Sequence, residues 1–167
     1  MKEVVGSGDI AQVLQEANKD VLFFASGVSN SSELRESEYR RERDLLLEQD
    51  KTKRLVYFSS LSIFYADTRY TRHKEEMEQM VKDNFPDYCI VRIGNIVWGK
   101  NPNTLINAMR NQVKAGDPLE IRDTTRYIVD KDEFLHWIGL IPHDFNCEIN
   151  VPGRRMKVAE VVKEFVL

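Results

Sequence analysis

The sequence predicts an α/β fold in which a parallel sheet lies between two helix layers, a three-layer αβα sandwich. Three observations carry that expectation. Short, almost continuously apolar runs recur along the 167 residues, at Val4-Val5, Val21 to Ala25, Leu55 to Phe58 and Cys89 to Ile93. Strands of a parallel sheet, buried on both faces, read in this way. Segments of helical character separate the runs, which gives βαβ units whose right-handed crossovers wind helices over both faces. The first three runs end in Gly6, Ser26-Gly27 and Ser59-Ser60, small residues where a strand can leave the sheet.

Taken in order, Val4-Val5 is the first strand and Asp9 to Asn18 a short helix of two to three turns. Val21 to Ala25 is the next strand. Ser32 to Gln49 is a charged helix, with Glu33, Glu36 and Glu38 early and Leu45-Leu46-Leu47 late. Its run Arg40-Arg41-Glu42-Arg43-Asp44 is mixed in sign and reads as a solvated face laced with ion pairs. Leu55 to Phe58 is a strand, and Tyr70 to Asn84 a helix with Met77, Met80 and Val81 on one face. Cys89 to Ile93 follows as a strand. Thr104 to Lys114 is an amphipathic helix stopped by Gly116 and Pro118, and Val158 to Val166 is the last helix. No repeat or linker divides the chain, so residues 1–167 are expected to form a single domain.

Composition narrows the function. Lys and Arg number 24 against 27 Asp and Glu, a net charge of −3, which points to neither nucleic acid nor an anionic membrane as partner. No apolar run approaches the ~20 residues of a membrane span, and the first residues lack signal-peptide architecture. A soluble, cytoplasmic protein is expected. Cys89, in the apolar run Tyr88-Cys89-Ile90-Val91, reads as a buried thiol, and Cys147 is remote in sequence, so neither a disulfide framework nor a Cys zinc site is expected. His136 and His143 have no ligand-spaced partners, so no metal is expected either. His73 reads as a surface residue and Trp98 and Trp137 as packing residues. Asn101-Pro102-Asn103 reads as a loop and helix cap, with substrate contact as the alternative.

Two motifs carry chemistry. Val4-Val5-Gly6-Ser7-Gly8-Asp9-Ile10-Ala11 reads strand, glycine turn, helix, in the pattern GxGxxA. Gly6 permits the tight turn, Gly8 clears space for a pyrophosphate against backbone N–H groups, and Ala11 lets helix and strand pack closely. A purely structural turn is the alternative. Asp9 is a carboxylate that would compete with a phosphate for the same positive field. The strand that follows ends in Ala25-Ser26-Gly27, without the acid that normally holds an adenine ribose. In the second motif, Tyr70 and Lys74 are four residues apart and share a helix face. A neighbouring ammonium is expected to lower the phenol pKa and fit Tyr70 for proton exchange during hydride transfer. Upstream, Ser59, Ser60 and Ser62 put hydroxyls at a strand's carboxyl end, where α/β sheets bind ligands.

These residues resemble the short-chain dehydrogenase/reductase superfamily, in its extended branch of NAD-dependent sugar-nucleotide epimerases and dehydratases. Leu55 to Ser60 resembles that branch's catalytic-hydroxyl strand and Ile63-Phe64-Tyr65 the phrase after it. The YxxxK helix follows, with Glu78 four residues past Lys74. Arg92-Ile93-Gly94-Asn95-Ile96-Val97-Trp98-Gly99 resembles the R-x-x-N-x-x-G ending, and Thr125 to Asp132 the segment R-x-F-I-x-V-x-D. Ile149 to Gly153 with Val158 to Val161 resembles a late strand and helix. The resemblance implies a truncated Rossmann-like parallel sheet, because Ala25-Ser26-Gly27 matches the end of the family's fourth strand and two strands before it are missing. The strand at Val21 is therefore expected beside that at Val4, parallel to it. A substrate region at about 100–167 is expected to be abbreviated.

What the resemblance implies for the site follows residue by residue. Tyr70 is the acid–base, Lys74 its partner and ribose anchor, and Ser60 or Ser62 the catalytic hydroxyl, since the family's own position falls on Leu61. Gly6, Ser7, Gly8, Ala25, Ser26, Gly27 and Lys74 are the candidate contacts for NAD or NADP, expected to bind weakly. Asn95 and Arg126 are the candidate contacts for a nucleotide-sugar substrate. A homodimer is expected through the helices Ser32–Gln49 and Tyr70–Asn84. Two readings stand: an NAD(P)-dependent epimerase, dehydratase or reductase acting on a nucleotide sugar, and a non-catalytic relative that serves as a binding or assembly module.

Overall fold

In the computed structural model, which describes residues 1–167, β1 (Glu3–Val5), β2 (Leu22–Phe24), β3 (Leu55–Ser60), β4 (Tyr88–Ile93) and β7 (Cys147–Val151) form a parallel sheet in the order β1-β2-β3-β4-β7. β1 and β2 are direct neighbours, Glu3 opposite Leu22 and Val5 opposite Phe24, as the shortened sheet requires.

Side-chain alternation along each strand builds the two faces. Phe23, Val56, Phe58, Cys89 and Val91 point to one face, where α1 (Asp9–Leu14) and α5 (Lys131–Gly139) cover them with Val13, Leu14, Phe134 and Ile138. Leu22, Phe24, Leu55, Tyr57 and Ile90 point to the other, under α2 (Glu36–Leu47) and α3 (Arg69–Asn84), which supply Leu46, Met77 and Val81. The three-layer sandwich is the observed architecture. A second, smaller sheet joins β5 (Asn95–Ile96), β6 (Thr125–Val129) and β8 (Arg154–Lys157). Ile106 of α4 (Leu105–Lys114) and Val161 of α6 (Val158–Val161) pack against it. Residues from about 100 onward are not a separate layer, because they return α5 and β7 to the main sandwich.

Helix ends differ from expectation where caps decide them. The first helix stops at Leu14, because Lys2 Nζ crosses to the carbonyls of Leu14, Gln15 and Ala17 and satisfies the chain end there. The second begins at Glu36 rather than Ser32, because residues before it fold into a turn in which Glu33 accepts the N–H and guanidinium of Arg35. α3 starts with a Thr68–Thr71 capping box. The last helix keeps α geometry only to Val161 and continues as a π turn over Val162–Val166. The segment Lys131–Gly139 adds a helix that the apolar runs alone did not reveal, capped by Asp130 accepting the Glu133 N–H. Trp98 packs on Phe134, ring centroids 5.4 Å apart. Trp137 is instead 37% exposed, because its neighbours Phe134 and Ile138 hold the buried stripe of α5. Cys89 is buried as expected, yet in-register pairing of β4 with β7 puts its sulfur 3.0 Å from that of Cys147.

Gly6 has φ of +123°, and a Cβ there would stand 2.3 Å from the Ala25 carbonyl oxygen. Gly8 meets nothing within 4 Å. Gly6→Ala is therefore expected to lower stability by about 2 kcal/mol or more, and Gly8→Ala by under about 1 kcal/mol. Urea midpoints of the two variants check this.

Candidate functional site

The carboxyl ends of β1, β2 and β3 lie side by side at one edge of the parallel sheet, the edge where α/β folds have their ligand crevice, and the glycine turn follows β1 there. Gly8 is the N-cap of α1, so the first N–H groups of the helix lack intrahelical acceptors. The Asp9 carboxylate is not aimed at them. It accepts the N–H groups of Lys100 and Asn101, both at 2.9 Å, and so ties the Trp98–Asn101 segment over the turn. The Trp98 indole donates to the Asp9 carbonyl, and the Asn101 amide to the Ser29 carbonyl. The Asn101 loop is thus a strap across the turn, and Thr104 rather than Asn103 caps α4. At the end of β2, the Arg41 guanidinium donates to the carbonyls of Ser26 and Gly27.

Tyr70 and Lys74 stand on the face of α3 that meets β3, the Lys74 ammonium 5.7 Å from the Tyr70 ring centre. The ammonium does not stand alone. Glu42 of α2, fully buried, approaches it with both carboxylate oxygens at 3.2 Å, and the Tyr57 hydroxyl accepts from it at 3.1 Å. Glu42 also accepts the Val28 N–H at 2.7 Å and the Tyr57 O–H. His73 Nε2 lies 3.1 Å from it. Gly27 is glycine for a related reason, since a Cβ there would sit 2.7 Å from Lys74 Nζ.

Two expectations fail here. His73 is not on the surface but fully buried, its ring 4.6 Å from that of Tyr39. Glu42, within the charged run read as solvated, is the anchor of the cluster. Each lies on its helix's buried stripe, His73-Lys74-Met77-Glu78-Val81 in α3, with the half-buried Tyr70 at its edge, and Tyr39-Glu42-Leu46 in α2. That three-and-four spacing was present in the sequence, and polarity masked it.

Electrostatics also departs from expectation. Burial raises the Tyr70 pKa above the ordinary phenol. The Lys74 ammonium and the Ser60 hydroxyl oppose this, and the Glu42 carboxylate reinforces it. Lys74 stays an ammonium: burial works against its charge, and Glu42 more than restores it. Burial likewise works against the Glu42 carboxylate, but Lys74, His73 and Tyr57 together hold its pKa well below the usual range.

Of the two candidate hydroxyls, Ser60 is the one beside Tyr70. Its oxygen lies 2.6 Å from that of Ser62 and accepts the Ser62 N–H. Leu61 between them is buried. Glu78 binds away from Tyr70, accepting Ser59 O–H at 2.6 Å and a two-pronged contact from Arg92, and so clamps α3 to β3 and β4. The Asn95 amide donates to the Tyr127 carbonyl, joining β5 to β6. Arg126 donates to the Thr125 carbonyl and the Thr124 hydroxyl, next to Tyr65. A groove of about 800 Å³ opens beside Ser60, lined by Leu61, Phe64, Tyr65, Tyr127, Asn150 and Arg155 among others. Phe64 and Tyr65, matched above only as part of a phrase, are its exposed aromatic wall. No helix is long and apolar enough to cross a membrane.

No protein-family model and no curated protein matches the sequence. Solved structures do match the fold. The Bordetella bronchiseptica enzyme WbmG, crystallised with NAD and UDP, superposes with a TM-score of 0.67 at 16% identity, over 85% of this chain and 53% of its own. A UDP-N-acetylglucosamine 4-epimerase from Methanobrevibacter ruminantium M1 gives 0.61 at 15% identity, over 94% of this chain and 62% of its own. The dTDP-glucose 4,6-dehydratase of Bacillus anthracis, in complex with NAD, gives 0.65 at 15% identity, over 94% and 59%. The chain shares the fold of these three structures and spans 53–62% of their length.

Two outcomes follow from the buried charges. Because the Glu42 pKa is lowered on folding, its contribution is complete above its unfolded value of 4.5 and lost as pH falls through the folded one. Stability is therefore expected to drop progressively below pH 4.5, and less so in Glu42→Gln, as read from thermal midpoints across pH. Glu78→Ala leaves the largely buried Arg92 guanidinium with only Glu148, 3.4 Å away, and is expected to cost up to about 3–5 kcal/mol by denaturant titration.

Proposed function

We propose that the protein is an NAD(P)-dependent enzyme acting on a nucleotide sugar, an epimerase, dehydratase or reductase that exchanges a proton through Tyr70. The observation that carries this reading is the placement of Tyr70, Lys74 and Ser60 together at the carboxyl end of β3, between the glycine turn and the groove. The neighbours described with NAD, UDP and UDP-sugars support it.

The residues suit the pyrophosphate and nicotinamide-ribose half of a dinucleotide. Gly6, Ser7 and Gly8 leave a cradle that a Cβ at Gly8 would begin to fill, and the first N–H groups of α1 face it. Ala25, Ser26 and Gly27 border it, and the Lys74 ammonium, held by both Glu42 oxygens and by Tyr57, lies against Gly27. No carboxylate ends β2, so the adenosine half has no ribose contact of the usual kind. When bound, the cofactor supplies hydride transfer. Tyr70 gives or takes the substrate proton, Ser60 donates a hydrogen bond to the substrate oxygen, and Lys74 holds its charge near the phenol. The groove, with its Tyr65 and Tyr127 rings 6.2 Å apart and Arg155 at its edge, receives the nucleotide. Asn95 and Arg126 border this side and complete the substrate contacts. The homodimer expected through α2 and α3 would join two sites across one interface.

A second reading, a non-catalytic binding or assembly module, draws on two observations. Leu61 occupies the family's hydroxyl position, and Glu42 neutralises the cation that Tyr70 needs.

Calorimetry with NAD and NADP separates the readings. The enzyme is expected to bind both weakly with little preference, since a missing charge-assisted ribose contact costs about 1.5–3 kcal/mol, or one to two decades in Kd. Tyr70→Phe is expected to lower turnover of a nucleoside-diphosphate sugar about 10²–10⁴-fold with cofactor affinity unchanged, and Lys74→Ala to lower both. No binding of either cofactor selects the module.

A further inference from the structure

We propose that Glu42 is a positioning residue for Tyr70 and Lys74: its buried carboxylate fixes where the Lys74 ammonium sits and how much of that cation's charge Tyr70 feels. The proposal rests on Tyr70 as the acid–base group and deepens that reading.

The geometry is that of a built anion site. Four donors from three parts of the chain converge on one carboxylate. They are the Val28 N–H after β2 at 2.7 Å, the Tyr57 O–H from β3, and His73 Nε2 at 3.1 Å and Lys74 Nζ at 3.2 Å from α3. Tyr57 has one proton and gives it to Glu42, so its lone pair is free to accept Lys74 at 3.1 Å. The Lys74 ammonium is therefore held from two directions, its three N–H groups directed at the two Glu42 oxygens and at Tyr57. His73 Nδ1 is buried with no partner. Within the cluster Glu42 and Lys74 form the opposed charges, 3.2 Å apart.

Tyr70 sits against that balance. The groups that face it are Lys74 on its own helix, Glu42 and Tyr39 from α2, Tyr57 and Ser60 from β3, and Tyr65 from the turn after it. Arg41, at the rim, faces Lys74. Of these groups, Glu42 and Lys74 bring the opposed charges to bear on Tyr70. A bare ammonium at this distance would favour the phenolate, and the carboxylate bound to it cancels much of that pull. A residue that only stabilised the fold would leave the Tyr70 titration where it was.

The test reads Tyr70 directly and needs no turnover. Phenolate absorbance is followed against pH in the wild type and in Glu42→Gln, each after subtraction of its own Tyr70→Phe counterpart. The Tyr70 midpoint is expected about one unit or more lower in Glu42→Gln. Glu42→Asp, which keeps the charge, is expected to restore most of the wild-type value. Equal midpoints in the wild type and Glu42→Gln would overturn the proposal. Should Glu42→Gln fail to fold, the wild-type Lys74 side chain decides. Its ammonium, assigned by Lys74→Arg, is expected to give a nitrogen-15 resonance protected from solvent exchange at neutral pH, and a fast-exchanging ammonium would overturn the proposal. A shifted midpoint in a chain that binds neither NAD nor NADP would uphold the role of Glu42 and reject the enzyme.

Discussion

The ion pair between Glu42 and Lys74 is the contact on which the rest of the site depends. It joins α2 to α3 over β3 with both partners withdrawn from water. Taking two charges out of solvent is costly, and such a pair is tolerable only when its remaining hydrogen-bonding capacity is met. Here the Val28 N–H, the Tyr57 hydroxyl and His73 meet it. Each of those partners is itself fixed, Tyr57 by its strand and His73 by its helix. One carboxylate therefore sets the spacing of two helices, the turn after β2 and the residues that flank Tyr70.

The short sheet imposes the second constraint. With β2 directly beside β1, only one strand separates β1 and its glycine turn from β3, and β1 is the edge of the sheet. The turn is crossed by the strap from Trp98 to Asn101, held by Asp9. Asp9, which by position alone opposes a phosphate, instead spends its charge on two backbone donors of that strap. Its effect on an anion at the turn is reduced accordingly.

A second buried pair, Glu78 with Arg92, repeats the device on the other side of β3. It explains why the acid after Lys74 can be structural in origin: its oxygens face Ser59 and Arg92 rather than the Tyr70 hydroxyl. The stripe of α3 thus carries Thr71, His73, Lys74 and Glu78 inward alongside Met77 and Val81. Four of these six buried residues are polar, which is why its apolar count understates how deeply it is packed.

The sequence by itself determined the parallel sheet, the helix layers and the pairing of Tyr70 with Lys74, which follow from local periodicity and helix geometry, while the adjacency of β1 and β2 was legible through the family resemblance. Tertiary structure alone decided what surrounds that pair. Glu42 and Lys74 are 32 residues apart, and a charged residue in a mixed-sign run reads as solvated unless a partner from another element is known. The same holds for His73, whose burial depends on Tyr39 and Glu42 across the helix interface. The direction of the Tyr70 shift was illegible for that reason. Lys74 is visible from Tyr70 in sequence, but burial and the opposing carboxylate exist only once α2, α3 and β3 have packed together.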